Sequence, residues 1–85
     1  MKKYPVVACE WVDSCGIGRW GPMREHLEHE PNSITSVGYL VRTAKSHITL
    51  LQTLDPSHDN GDNSVMIVRS AIKKLTYLEE RSKKK

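Results

Sequence analysis

Read as alternating apolar and polar positions, the chain breaks into five short strand-like segments and one helix-like segment. Residues 4–12 are rich in β-branched and aromatic side chains and read as a first strand. Alternation puts Val7, Cys9 and Trp11 on one face, with Val6, Ala8, Glu10 and Val12 on the other. Pro5 suits the start of that strand or an edge position. Residues 13–21 form a turn-rich connection containing Gly16, Gly18 and Gly21. Residues 22–30 predict one short helix opened by Pro22. Its only apolar positions, Met23 and Leu27 at i and i+4, predict a surface helix with one thin buried stripe.

Residues 33–43 predict a second strand, with Gly38 in its interior, where a glycine marks a sharp bend. Ala44 and Lys45 begin a tight turn. Residues 46–54 predict a third strand, with Ile48, Leu50 and Gln52 on one face and His47, Thr49, Leu51 and Thr53 on the other. Residues 55–63 are all turn formers or polar residues and read as a loop. Residues 64–68 give a fourth strand, Arg69-Ser70 a break, and residues 71–78 a fifth strand. A helix is a rival for that last segment, because Ala71, Leu75 and Leu78 also fit helical spacing. The fold class expected is mainly β: a five-stranded antiparallel barrel with one helix between strands one and two.

Length confines this to one domain. Eighty-five residues bury a modest core, and with no Phe, that core must draw on Trp11, Trp20, Tyr39, Tyr77 and the aliphatics. Oligomerisation is a common remedy for so small a chain, so a homo-oligomer is among the expectations. No apolar run approaches a membrane span and the N-terminus lacks a long apolar stretch, so a cytoplasmic location without membrane contact is the default expectation.

The formal charge of +3 is carried by the ends. Lys2, Lys3, Lys83, Lys84 and Lys85 account for five of the thirteen basic residues, which leaves eight against ten acidic ones. The broad basic face that dominates nucleic-acid binding is therefore not written into the body of the chain.

Five constellations invite chemistry, and four have a plainer explanation. Gly16-Ile17-Gly18-Arg19-Trp20-Gly21 fits the dinucleotide fingerprint, but the parallel βαβ unit that the fingerprint requires is missing. Its glycines read as turn residues, with backbone N–H groups and Arg19 left as an anion contact. Cys9, Cys15, His26 and His29 lack the spacing of a zinc site, and the loop from Asp55 to Asp62 puts its glycine one place late for calcium. No metal or cofactor is expected. Ser14, Cys15 and His26 have no further acid placed to orient the histidine, so no catalytic set emerges and no enzyme activity is expected.

The fifth constellation is Trp11, Asp13, Ser14 and Trp20. Asp13 and Ser14 suit a local turn. Trp20 lies in a glycine-rich loop, where a large aromatic is costly unless it is packed or used. With Arg19, Tyr39 and Arg69 these residues make the candidate binding set: aromatics to stack on a base or grip a side chain, and arginines for an anion.

Two resemblances follow from these residues. The Gly38-Tyr39-Leu40 strand, the hairpin after it and Ile67-Val68-Arg69-Ser70-Ala71-Ile72 resemble the two motifs of Sm-like proteins, which implies a small barrel and an RNA- or single-strand-binding module. The chain departs from that pattern where a strand precedes its helix, and where the Sm family's RNA-binding Asp and Asn do not follow Val41. Trp11-x-Asp13-Ser14-x-Gly16-x-x-x-Trp20, then Ser36-Val37-Gly38-Tyr39-Leu40, then Arg69-Ser70-Ala71-Ile72 is similar to a group of small phage and prophage proteins with no assigned activity. It implies a phage origin. The expected function is then a non-enzymatic phage accessory protein that binds a host component, either a host protein or a small nucleotide, and inhibits a defence or regulatory system.

Overall fold

The alternating segments do pair, and they do so in a single antiparallel sheet. The structure, a computed structural model, describes residues 3–14 and 18–79. The elements are β1 (Val6–Asp13), α1 (Met23–Glu28), β2 (Asn32–Thr43), β3 (His47–Asp55), the 3₁₀ turn η1 (Pro56–His58), β4 (Asn60–Val68), the 3₁₀ turn η2 (Arg69–Ala71) and β5 (Ile72–Leu78). The strand order is β4-β3-β2-β1-β5. The last strand thus lies beside the first, and residues 72–78 are strand, which removes the helical rival.

β2 joins the two halves of the sheet. Its first part pairs with β1 from Asn32 to Tyr39, and its last part pairs with β3 from Tyr39 to Thr43. The hand-over falls at Gly38, where a Cβ would stand 2.9 Å from the Leu51 carbonyl oxygen. Only a hydrogen side chain admits that approach of two backbones. Register shifts between Leu40 and Arg42 and between Glu10 and Trp11 are bulges, which add local bend. The curled sheet gathers Val7 and Cys9 of β1, Leu40 of β2, Ile48 and Leu50 of β3 and Ile67 of β4 into one buried cluster. Trp11, Val65, Ile72 and Leu75 pack against it.

The curl stops short of a closed barrel, because β4 and β5 remain the two edges of the sheet. The radius of gyration is 17.2 Å, against about 12 Å for a compact chain of this length. Two features produce the extension. The β3–β4 hairpin runs past its contact with β2, since β3 pairs with β2 only as far as Leu51 but with β4 as far as Asp55. The other is α1, which buries none of its side chains.

The hairpin corrects the loop expected over residues 55–63. Pro56 opens a 3₁₀ turn and Asp59 takes a left-handed conformation (φ 50°), so the chain reverses within four residues and Asp55 pairs with Asn60. Asn63 is also left-handed (φ 59°), a conformation Asp and Asn tolerate better than most residues, and its amide donates to Gln52 Oε1 at 2.8 Å.

Two predictions test this packing. Gly38→Ala forces a Cβ onto the Leu51 carbonyl and is expected to cost about 1–3 kcal/mol in a denaturant melt. Gly18→Ala, which meets nothing within 4 Å, serves as the control and stays close to wild type. Cys9 is 0% exposed, and burial, with the neighbouring Glu10 charge, raises its thiol above the ordinary range. Iodoacetamide at neutral pH is expected to spare the Cys9 peptide in the native protein and to modify it after denaturant is added, read by peptide mass mapping.

Candidate functional site

The chemistry-bearing residues singled out from the sequence fall into three places. Trp11, Asp13 and Ser14 lie at the C-terminal end of β1. Trp11 is half-buried against the core, and its Nε1 donates to Ser36 Oγ at 3.0 Å. Asp13 is the last residue of the strand and pairs with Asn32; Ser14 follows it, exposed. η2 packs against β1, so Arg69 belongs to the same end of the sheet. Its Nε donates to the Ala44 carbonyl at 2.8 Å and its backbone N–H to Ser46 O at 2.9 Å, which ties the β2–β3 turn to the end of β4. Tyr39 is elsewhere. It pairs with Val6, on the opposite face from Val7, Cys9 and Trp11, and is half-buried there.

Arg19 and Trp20 form the third place, an arm with α1. Met, Arg, Glu and Leu favour helix, but six residues are too few to hold a helix without support. The support is local: Glu25 N–H donates to the Pro22 carbonyl at 3.0 Å, and Arg19 forms an exposed ion pair with Glu25. The helix buries no residue. This corrects the expected buried stripe, because Met23 is 69% and Leu27 76% exposed. Trp20, counted among the core candidates by composition, is 99% exposed. Met23 and Leu27 share one face of the helix at i and i+4, and Trp20 precedes it outside the helix; all three are exposed. Tyr77, the other proposed core aromatic, is also exposed.

The sheet holds a second surface that site reasoning passed over. On the outer face, Leu51 pairs with Tyr39, Tyr39 with Val6, and Val6 with Leu78. Val37 and Ala8 lie on one side of that row, and Met66 on the other. Val37, Met66, Val68 and Leu78 are exposed. The signal was legible: β1 carries Val6, Ala8 and Val12 on the parity opposite Val7, Cys9 and Trp11. An antiparallel sheet normally solvates one face, and here that face mixes apolar groups with polar ones such as Glu10, Arg42, Thr49 and Lys74.

Two open clefts flank this surface. One, of about 310 Å³, lies where β2 parts from β3, between Ser36 and Val37 on one side and Gln52, Asn63 and Ser64 on the other. The other, of about 270 Å³, lies among Tyr4, Val41, Leu51 and Leu54, with Asp59–Gly61 beside them. Neither is lined by Trp11, Trp20 or Arg69. Among the described residues no three or more His, Cys, Asp and Glu side chains gather into a metal-binding group. Cys15, Gly16 and Ile17, part of the glycine-rich motif and of the zinc alternative, lie outside the described residues. No helix of the described residues is long and apolar enough to cross a membrane.

One polar cluster does form, at the hairpin tip. Ser57 Oγ donates to Asp55 Oδ1 at 2.9 Å, and His58 Nδ1 lies 2.9 Å from Asp55 Oδ2 and 3.2 Å from Ser57 Oγ. All three side chains are exposed, so the arrangement is a turn lock with no pocket around it. Comparison with protein-family models, with curated proteins and with solved structures finds no match for the chain.

The lock has a pH signature. The hydrogen bond from His58, then that from Ser57, holds the Asp55 carboxyl below its ordinary value. A depressed carboxylate stabilises the folded state above its unfolded value of about 3.9, and that contribution is lost as pH falls through the folded value. Carboxyl NMR titration is expected to place the Asp55 midpoint below that of a free aspartate, and His58→Ala to raise it.

Proposed function

We propose that this chain is a small non-enzymatic binding protein of phage origin that captures a host component, with the apolar arm as its contact element. The observation that carries this reading is Trp20. A tryptophan 99% exposed, three residues ahead of the exposed Met23 and close in sequence to the exposed Leu27, is costly in water and gains only when something covers it. Contact through such exposed side chains is surface recognition and needs no catalytic group. The strand order with β5 beside β1, the glycine-bent β2 and the 3₁₀ turn between β4 and β5 support an SH3- or Sm-like body for the module. The phage similarity supports a target in the host cell, where inhibition of a defence or regulatory component is the economical role for so small a protein.

Two kinds of target fit. One is a host protein gripped by the arm or paired along an open sheet edge. The other is a small nucleotide held between subunits, with Trp20 stacking on the base and Arg19 and Arg69 meeting phosphate. Native mass spectrometry of the protein purified from its expression host tells them apart. A defined oligomer carrying nucleotide-sized mass assigns the second; a bare species sends the search to host proteins. Once the target is in hand, Trp20→Ala is expected to weaken binding by roughly thirtyfold or more, as for a hot-spot tryptophan. Arg69→Ala is compared at matched stability, because it also releases the Ala44 turn. Full binding by both variants removes the proposed surface. The Sm-like reading, with Trp20 and Tyr39 stacking on single-stranded nucleic acid, predicts an affinity that falls steeply with salt.

A further inference from the structure

We propose that two copies of this chain pair by exchanging arms, each laying Trp20, Met23 and Leu27 on the outer sheet face of the other. This rests on the arm being a contact element, and it names the arm's first occupant.

The argument begins with an imbalance. Among the described residues, eight large hydrophobic side chains are exposed, whereas six hydrophobic residues are buried. The exposed ones are not scattered. Three lie on the arm, and Val37, Met66, Val68 and Leu78 belong to the outer face or its margin. One chain therefore carries an exposed apolar arm and exposed apolar groups on its outer sheet face.

Area says what covers them. An exposed tryptophan contributes up to about 250 Å² of side-chain surface, and the methionine and leucine bring the arm to roughly 400 Å². Two arms, each matched by a similar area of sheet, remove roughly 1,600 Å² from water, the size of a standard stable interface. A second copy presents both surfaces at once, so one two-fold axis satisfies both arms and both sheets. In such a pair, Arg19 and Trp20 of one copy stand over the sheet of the other.

Sedimentation of the purified protein from low to high micromolar concentration reads the association without any host component. The expected result is a concentration-dependent dimer. Two variants on different surfaces, Trp20→Ser on the arm and Met66→Glu on the sheet, are each expected to raise the dimer dissociation constant by roughly thirtyfold or more. Both sites are exposed, and an unchanged circular dichroism spectrum confirms the fold. A mixture of Leu27→Cys and Met66→Cys proteins, each in a background lacking its other cysteines, is expected to cross-link between chains. A monomer at every concentration overturns the exchange, whether the arm stays free or folds onto its own sheet. A dimer indifferent to both variants overturns it as well. Neither result bears on host capture, which the mass measurement and the Trp20→Ala affinity decide.

Discussion

The close approach of Gly38 to the carbonyl of Leu51 is the constraint on which the rest of this structure depends. At that point β2 leaves β1 and joins β3, and the sheet turns over itself. Without the turn, Val7 and Cys9 would lie on a flat sheet, away from Ile48, Leu50 and Ile67. With it, side chains from strands that do not touch by hydrogen bonds form one core. The bulges at Val41 and beside Trp11 continue the bend on either side. A single residue without a Cβ thus converts a local pairing choice into the tertiary fold.

The same bend leaves a debt on the convex side. Curling buries the face of Val7, Cys9 and Leu50 and turns Val37, Tyr39, Met66 and Leu78 outward. Strand propensity asks for β-branched and aromatic residues, and this chain supplies them at both parities of β1 and β2. The inner set is satisfied within the chain. The outer set is half-buried at Val6, Ala8, Val12, Tyr39 and Leu51 and exposed at Val37, Met66 and Leu78. At roughly 25 cal/mol per Å² of apolar surface, a few hundred Å² left in water is comparable with the whole stability of a small domain. Surface on that scale is the physical ground of the proposed pairing.

Strands were legible because each carries β-branched and aromatic residues or, in β3, a clear alternation between turn-rich stretches, and the bend was legible because Gly38 interrupts an otherwise apolar run. The short hairpin was not. Residues 55–63 contain only turn formers, and composition does not reveal that Asp59 alone reverses the chain. Openness of the sheet was not legible either, since closure depends on how far twist and bulges carry β4 toward β5. The candidate site was legible by residue type more than by place. Trp11, Asp13 and Ser14 do share one end of the sheet with Arg69, but Tyr39 lies on the other face and Trp20 on an arm. Long-range placement of that kind follows from register, which neither spacing nor charge encodes.

Trp11 and Trp20 show how one residue type comes to opposite ends within nine positions. Trp11 follows Val7 and Cys9 on the inner parity of β1, so its ring meets the core and its indole N–H finds Ser36. Its position in the strand decides its fate. Trp20 is bounded by Gly18 and Gly21, ahead of a six-residue helix with no buried side chain, so no strand parity or helix face carries it to the core. A tryptophan so placed contributes nothing to the fold that a smaller residue would not. The fold explains one tryptophan in full; to the other it gives neither a packing partner in the core nor a helix face, and the proposed contact is what would use its area.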